Sequence, residues 1–510
     1  MDRDPMKAPR RAKLIWRLQS KLSRRFPSIV PHPERRSLLQ GIRQSDAEAN
    51  ARTTLTGDEA VSLQCLWVVE FYTPAHISSL LTGFEELGWN LPDSSGAASN
   101  PTRWIQRIRH SPQGWGWLNL GTIYRDDAQA RSSQSRSAPL PNEVEYAIAA
   151  MHSLTSSLAC IVIGFVYDEN KRNCFERELK KDRQTFFQNI PKGGYTILTP
   201  DAQKVRSVRD VRTQLRTEAF NFFRSCLPGL FASGVLLHEF PTCEFLLLHE
   251  MAESSGDENG ASRIPKWHNI LGIDDDHHIW DAMWLEGLSF TWPLDRVDNS
   301  QYQSAIVARE ETFSDDVMKM YGGRDRNSVI YYVDHSLSAL FSRWGVLGML
   351  SGYERCLNIM RDSLVPTSAE VVKSAKILRQ IRNHLVRSID IATMASDLQE
   401  FVKTKAIYSM NMHDFKVRKT FFPEEGDISL TEILSQQTTD RMAGVHEVEK
   451  NLRDVLMQYG NTISAQQNIK LQRRMTFLTW AIVLLTIVAV GLAATSVFVS
   501  ASSERLVLPW

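Results

Sequence analysis

The sequence predicts an α+β or α/β cytosolic domain, followed by an all-α helical region, a long stalk helix and one C-terminal transmembrane helix. Three observations predict this order. Short apolar runs separated by turns occupy residues 60–300, long helical periods replace them from residue 301, and the 29 residues from Met475 to Ser503 carry no charged side chain. The predicted segments are 1–36, basic; 37–59, a linker; 60–300, the mixed domain; 301–428, the helical region; 429–475, the stalk helix; 476–499, the transmembrane helix; and 500–510, a short tail.

Length and composition limit the class of protein. A chain of 510 residues exceeds one ordinary core, and 43% apolar with 23% charged residues is typical of globular proteins. This composition excludes a mostly disordered chain and a chain with many membrane spans. The six cysteines are scattered without a Cys-x-x-Cys pair, so we expect reduced thiols in a reducing compartment.

The basic N-terminal segment holds eleven Lys or Arg and three acidic residues. Leu14, Leu18, Leu22 and Phe26 recur every four residues, which predicts a basic amphipathic helix from Pro9 to Phe26. Such a helix can lie on anionic lipid headgroups. The alternative is a disordered basic tail. No apolar run follows the basic residues, so we expect no cleavable signal peptide.

The mixed domain is predicted from its alternation of strand-like and helix-like runs. The predicted strands are Leu63 to Tyr72, Gly116 to Tyr124, Leu158 to Tyr167, Tyr195 to Leu198 and Cys243 to His249. The predicted helices are Pro74 to Leu87, Glu143 to Ser156, Glu169 to Gln188 and Pro200 to Phe223. Basic residues on the last two helices are interleaved with acidic ones, so we expect solvated faces and no nucleic-acid partner.

Two further apolar runs lie outside the C-terminal span. Residues 146–167 carry no charge, but His152 and several hydroxyl side chains lie at their centre. We expect a helix to about Ser157 followed by a buried strand, and the alternative is a second membrane span. Residues 335–353 carry Arg343 in their middle, which costs about 3 kcal/mol at a bilayer centre, so this run predicts a core helix.

Long helical periods fill the region after residue 301: Gln301 to Tyr321, Val329 to Leu364, Ser368 to Tyr408, and a last helix from Ser429. Ser429 and Glu432 fit a capping box at the start of that helix. A coiled-coil-like 3,4 repeat then leads toward the membrane span. It runs through Val445, Val448, Leu452, Val455, Tyr459, Thr462, Gln466 and Ile469. The stripe predicts either the core of a helical bundle or a weak homo-oligomer of stalk helices.

The charge-free run from Thr476 to Val499 is long enough to cross a bilayer as a tilted helix. Lys470, Arg473 and Arg474 precede it, and the positive-inside rule then places the preceding chain in the cytosol. Because only eleven residues follow, we expect a single-pass, tail-anchored membrane protein whose partner is the lipid bilayer.

The approach to this span, Gln467-Asn-Ile-Lys-Leu-Gln-Arg-Arg-Met-Thr-Phe-Leu-Thr, resembles the approach to the first membrane helix of CorA-type divalent-cation channels. The resemblance covers about the last sixth of the chain and implies ion transport. The family's Gly-Met-Asn signature is absent, since Leu and Ala follow Gly491, and no second span follows. These departures disfavour CorA-like transport as a function.

The densest group of ligand-type side chains is the run Asp274 to His278. Carboxylate and imidazole groups together suit a divalent transition metal, and Asp274, Asp276, His277 and His278 are the candidate ligands. The alternative is a solvated acidic loop, because consecutive side chains cannot all face one ion. No other cofactor is predicted.

No phosphate-binding loop, dinucleotide-binding fingerprint or nucleophile elbow is present, and no catalytic residue can be assigned from the sequence. The sequence therefore favours a membrane-anchored cytosolic sensor or interaction protein over an enzyme. The alternative function is a membrane-tethered, metal-dependent hydrolase or nuclease that uses the Asp274 to His278 cluster.

Overall fold

A computed structural model gives the fold. It describes residues 10–25, 39–55, 57, 59–90, 100–111, 114–125, 135–189, 195–234, 240–249, 266–274, 278–292, 302–364, 394, 396–418 and 428–503. The chain forms two compact units. The first unit contains Met1–Cys356 and Asp390–Val445, and the second contains Leu357–Ile389 and His446–Trp510.

The first unit is built around a ten-stranded mixed sheet, which confirms the predicted mixed α/β class. Its strand order is β12-β9-β10-β11-β8-β1-β5-β4-β2-β3, and β6 pairs with β7 in a separate hairpin. The strands are β1 Ala60–Tyr72, β2 Gly116–Tyr124, β3 Ser135–Ser137, β4 Val144–Ser153, β5 Ala159–Tyr167, β6 Phe186–Asn189, β7 Tyr195–Leu198, β8 Thr242–His249, β9 Ile279–Ala282, β10 Leu288–Thr291, β11 Gln303–Arg309 and β12 Phe415–Val417.

The α-helices of the described residues are numbered in chain order. They are α1 Arg10–Arg25, α2 Asp46–Thr53, α3 Ile77–Glu86, α4 Pro101–Arg109, α5 Glu169–Arg172, α6 Cys174–Lys180, α7 Pro200–Cys226, α8 Lys266–Leu271, α9 Asp315–Met318, α10 Arg326–Leu364, α11 Lys405–Tyr408 and α12 Leu430–Ser503. Residues 396–403 are also helical. Two short 3₁₀ helices lie at Glu310–Thr312 and Lys319–Tyr321.

The core lies on both faces of the central strands, because β1 and β5 are almost wholly buried. One face packs against α10, where the rings of Trp67 and Phe341 are 4.9 Å apart. The other face packs against α7, where the rings of Phe165 and Phe222 are 5.5 Å apart. Burial on both faces explains why β5 is a continuous apolar run and why the central part of β1, residues 65–69, is one too.

One glycine makes room for this packing. Gly164 of β5 pairs with Trp67 of β1, and a Cβ atom at Gly164 would lie 2.7 Å from the Trp67 indole nitrogen. The missing side chain lets the indole lie across β5 and donate to the Asp334 carboxylate of α10 at 2.7 Å.

The helix predicted from Glu143 to Ser156 is wrong. These residues form β4, which pairs antiparallel with β5, so the charge-free run 146–167 is a strand hairpin in the sheet and not a membrane span. The composition is ambiguous because Ala and Met favour helices, while burial against β5 and β2 favours a strand. The helix predicted to continue to Gln188 is also wrong in its last part, where β6 forms.

The sequence predicted that strands end before residue 301. This prediction is wrong, because β11 and β12 follow that residue. The predicted helix from Gln301 to Tyr321 contains β11, which runs parallel to β8 near the centre of the sheet. The predicted linker contains α2, whose Asp46 carboxylate accepts hydrogen bonds from the backbone N–H of Thr185 at 2.8 Å and from its hydroxyl at 2.6 Å. This segment is therefore packed within the first unit.

The helix predicted from Val329 to Leu364 is confirmed by α10, and the run 335–353 within it is largely buried, as predicted for a core helix. The helix predicted from Ser429 is also confirmed, and the Ser429 hydroxyl accepts a hydrogen bond from the Glu432 backbone N–H at 3.4 Å. The predicted helix from Ser368 to Tyr408 lies partly outside the described residues. Among the described residues, one helical segment, Asn468–Ser496, is long and apolar enough to cross a membrane.

Candidate functional site

The structure describes two of the four residues predicted as metal ligands. Asp274 and His278 belong to the described residues, while Asp276 and His277 lie outside them. Within the described part of the chain, no three His, Cys, Asp or Glu side chains are close enough together to hold a metal ion. The metal site therefore stays a prediction.

A different group of side chains surrounds a cavity of about 260 Å³ in the first unit, which we call the histidine–arginine cavity. Four parts of the fold supply its walls: the start of β2, the end of β4, one side of α10 and the segment 401–413. The lining residues are Trp115, Gly116, Trp117, His152, Ser153, His335, Ser338, Ala339, Arg343, Phe401, Met410, Asn411 and His413.

The strand register explains how these residues meet. Trp117 of β2 lies opposite His152 of β4, so both side chains project from the same face of the sheet. That face is the one covered by α10, where Ser338, Ala339 and Arg343 lie three, four and eight residues after His335 and so share one side of the helix. The cavity therefore lies between the sheet and α10.

Arg343 forms the floor of the cavity and is 6% exposed. Its Nε donates to the Tyr408 carbonyl at 3.1 Å, one Nη donates to the Ser342 hydroxyl at 2.8 Å, and the other donates to the Ile407 carbonyl at 3.5 Å. The guanidinium carbon also lies 5.3 Å from the centre of the Phe401 ring. No carboxylate among the described residues pairs with Arg343, and burial lowers its pKa.

His152 lies beside this floor and is 3% exposed. Its Nε2 atom is buried and has no hydrogen-bond partner among the described residues. Burial, with a further effect of the Arg343 charge, lowers the pKa of His152 to about 3. The imidazole is therefore neutral at physiological pH and presents an unpaired ring nitrogen.

The mouth of the cavity is formed by exposed residues, which include Trp117, His335 and His413. His413 lies against Trp284 with 4.7 Å between ring centres, and burial together with the nearby His335 lowers the pKa of His413. Asn411 adopts the left-handed conformation with φ at 57°, which turns the chain at this edge of the cavity. The opening gives a solute access to the buried floor.

The described lining of the cavity contains basic but no acidic side chains. The described lining residues include one arginine and three histidines and contain no aspartate or glutamate. Hydrogen-bond donors and a fixed positive charge, combined with aromatic walls, are suited to binding an anion. Among these described lining residues there is neither a pair of carboxylates nor a serine hydrogen-bonded to a histidine, two arrangements that hydrolases without a metal commonly use.

A second, wider groove of about 680 Å³ lies beside the start of β1 and the end of β8. Its charges are largely compensated within the protein. His249 contacts Glu310 at 2.8 Å, and Arg326 pairs with Glu145 at 3.0 Å while also donating to the Tyr167 carbonyl. A groove with paired charges gives less reason to expect a ligand than the histidine–arginine cavity does.

No protein-family model matches the chain, and no curated protein matches it significantly. The functional assignment therefore depends on the geometry of the histidine–arginine cavity.

Sequence reasoning missed this cavity, although its residues carried a signal. His152 lies inside one apolar run and Arg343 inside the other, where the sequence presents them only as evidence against membrane spans. A cationic or titratable residue inside a predicted core element is itself a candidate functional residue. The pairing of β2 with β4 and the packing of α10, which bring the residues together, could not be derived from the sequence.

Proposed function

We propose that this protein is a membrane-anchored, non-enzymatic sensor whose first unit binds a small ligand in the histidine–arginine cavity. One observation carries the proposal: Arg343 is buried at the floor of an open cavity and has no carboxylate partner among the described residues. A buried cation without a counter-charge costs several kcal/mol, and a ligand that supplies the charge would offset this cost.

The membrane part of the proposal is supported by the segment Asn468–Ser496, in which no residue of the apolar window is buried. Lys470, Arg473 and Arg474 at its start favour a cytosolic location for the preceding residues. The sensor would then sample small molecules on the cytosolic side and remain at the bilayer.

We further propose that α1 contacts anionic lipid headgroups. The apolar side chains of Leu14, Ile15, Leu18 and Leu22 are 44–63% exposed, whereas Ser20 on the opposite side of the helix is 8% exposed. The helix thus directs its apolar side outward, with Arg17 and Lys21 beside it. A basic, outward-facing apolar stripe suits an anionic bilayer surface.

The experiment that tests the ligand site is a thermal-stability screen of the full chain in detergent micelles against neutral, cationic and anionic metabolites. A ligand that binds only the folded protein should raise the melting temperature by about 2 °C or more at concentrations well above its Kd. Met410→Trp should fill part of the cavity and abolish this effect. Met320→Trp is the matched control, because Met320 is 92% exposed and outside the cavity lining.

Two results would contradict the proposal. One is a screen in which no ligand stabilises the wild-type protein. The other is a ligand that stabilises the Met410→Trp and Met320→Trp variants equally, since such a ligand would bind elsewhere.

A further inference from the structure

We infer that the ligand of the histidine–arginine cavity is a small organic monocarboxylate with an apolar body the size of one ring. This inference rests on the proposed function, since it names the class of molecule that the same cavity would hold. Three observations carry it: the free donors of Arg343, the net charge of the lining, and the shape and polarity of the walls.

The donors of Arg343 select a planar anion. A guanidinium has five N–H groups, and the described contacts use three of them: Nε, one on the Nη bonded to Ser342 and one on the Nη bonded to Ile407. One N–H is left on each Nη nitrogen. One donor on each of the two Nη nitrogens suits the two oxygens of a carboxylate, which is the strongest pairing that arginine makes.

Two neighbouring groups can complete the contact. His152 has a buried Nε2 atom without a partner, and as a neutral imidazole it can donate a proton from that nitrogen. Ser338 lies five residues before Arg343 on α10, is 5% exposed and also lines the cavity. A carboxylate at the floor could thus accept hydrogen bonds from three side chains.

The charge of the lining favours a monoanion. Arg343 supplies one fixed positive charge, and the lowered pKa values of His152 and His413 keep both imidazoles neutral near pH 7.5. A phosphate monoester carries nearly two negative charges at this pH, so one charge would enter the cavity without compensation. An organic cation would be repelled by Arg343.

The walls and the volume define the rest of the ligand. Trp115, Trp117, Ala339, Phe401 and Met410 provide apolar surface. A cavity of 150 Å³ is known to accept a benzene molecule, so about 260 Å³ accommodates one ring together with a carboxylate group. The mouth beside Trp117 and His335 would receive the ring after the carboxylate reaches the floor.

The test compares four probes of similar size on the full chain in neutral detergent at pH 7.5, by ¹⁹F NMR line broadening. The probes are 4-fluorobenzoate, 4-fluorobenzamide, 4-fluorobenzylamine and 4-fluorophenyl phosphate. We expect 4-fluorobenzoate to bind at least tenfold more tightly than each of the other three, because it alone carries one negative charge in a planar group. Met410→Trp should abolish the binding.

A variant tests the role of the arginine itself. Arg343→Lys keeps the positive charge but removes the planar guanidinium with its paired N–H donors. It should weaken the binding of 4-fluorobenzoate at least tenfold while leaving the binding of 4-fluorobenzamide unchanged. Arg324→Lys is the control for the substitution, since Arg324 is exposed and outside this cavity. If Arg343→Lys fails to fold, the comparison of the four probes on the wild-type protein still decides the question.

The outcomes separate the inference from the proposed function. Equal binding of benzoate and benzamide, or tighter binding of the phosphate, would overturn the monocarboxylate inference and leave a ligand-binding cavity in place. Absence of binding by every probe, together with a metabolite screen without any stabilising ligand, would overturn both.

Discussion

Buried charges in the first unit are stabilised in different ways. Arg212 pairs with Glu244 at 2.9 Å, and Lys171 pairs with Glu218 at 2.9 Å. Among the described residues no carboxylate forms an ion pair with Lys204, whose ammonium donates to the Leu179 carbonyl at 2.6 Å and to the Thr54 hydroxyl at 2.9 Å. Burial lowers the pKa of Lys204, and an amine can release its proton where a guanidinium cannot. Arg343 combines a permanent charge, burial and an open cavity, which explains why we assign the ligand to it.

Glu70 offers a separate prediction at the residue scale. Its carboxyl group is fully buried in β1 and accepts hydrogen bonds from the backbone N–H groups of Phe71, Phe231 and Ala232. Burial raises the pKa of Glu70 to about 8, although these donors lower it. Because the folded-state pKa lies above the ordinary value of 4.5, folding favours the protonated form.

The stabilising effect of this group is complete below pH 4.5 and is lost as pH rises through about 8. We therefore expect stability to fall by up to ~1.4 kcal/mol per pH unit between these values, and Glu70→Gln to remove this dependence. Thermal unfolding of the wild-type protein and of Glu70→Gln, followed by circular dichroism at pH 5.5 and 8, measures this pH dependence. Glu85→Gln, at an exposed position of α3, is the control. An unchanged pH dependence in Glu70→Gln would show that the carboxyl group is ionised throughout.

At the scale of elements, the predictions succeeded where local pattern and burial agree. β1, β2, β5, β7, β8, α7 and α10 lie close to their predicted positions, since their apolar runs and caps are unambiguous. β4 and β11 were predicted as helices, because a strand buried in the middle of a sheet lacks the alternation that identifies a strand. The cavity depends on β4, so it could not be assembled from a prediction that made this segment helical.

The apolar stripe of α12 also has a different register from the predicted one. The buried residues are Met442, Val445, Glu449, Leu452 and Leu456, whereas Val455 is 42% exposed. Val445 and Leu452 were predicted, whereas Glu449 and Leu456 are buried in place of the predicted Val448 and Val455. Glu449 at a buried position pairs with Arg453 at 2.5 Å. The predicted stripe is thus partly covered within one chain, and weak self-association stays a prediction.

The exposed part of this stripe gives a sharper test of self-association. We expect single cysteines at positions 448 and 455 to cross-link in native membranes, because tethering to a bilayer raises the local concentration of neighbouring helices. Val455→Asp should reduce cross-linking through position 448 without unfolding, since Val455 is exposed, whereas Leu452→Asp would also disrupt buried packing. If folded protein yields no cross-linked dimer, the stripe belongs to the interior of a single chain.

At the scale of the whole molecule, the structure reduces the number of candidate membrane contacts. Residues 146–167 are strands of the sheet, so they no longer compete with Asn468–Ser496 as a span. The remaining candidates are that segment and the outward-facing apolar side of α1. They differ in physical character: a span is held by the hydrophobic effect over its whole length, whereas a basic surface helix depends partly on charge and is weakened by salt.

This difference leads to the prediction for membrane attachment. Truncation after Ile469 removes the apolar segment, and we expect the truncated protein to be released from membranes at high salt, while the full chain stays in the membrane fraction. At low salt, part of the truncated protein should still bind vesicles that contain anionic lipid, through α1. Leu18→Asp with Leu22→Asp should remove this residual binding, whereas Met320→Asp, which adds a charge at a 92% exposed position, should not. Sedimentation followed by immunoblotting measures each fraction. A truncated protein that stays in membranes at high salt, even with both leucines of α1 replaced, would show that a third segment holds the bilayer and that the proposed single-pass topology is wrong.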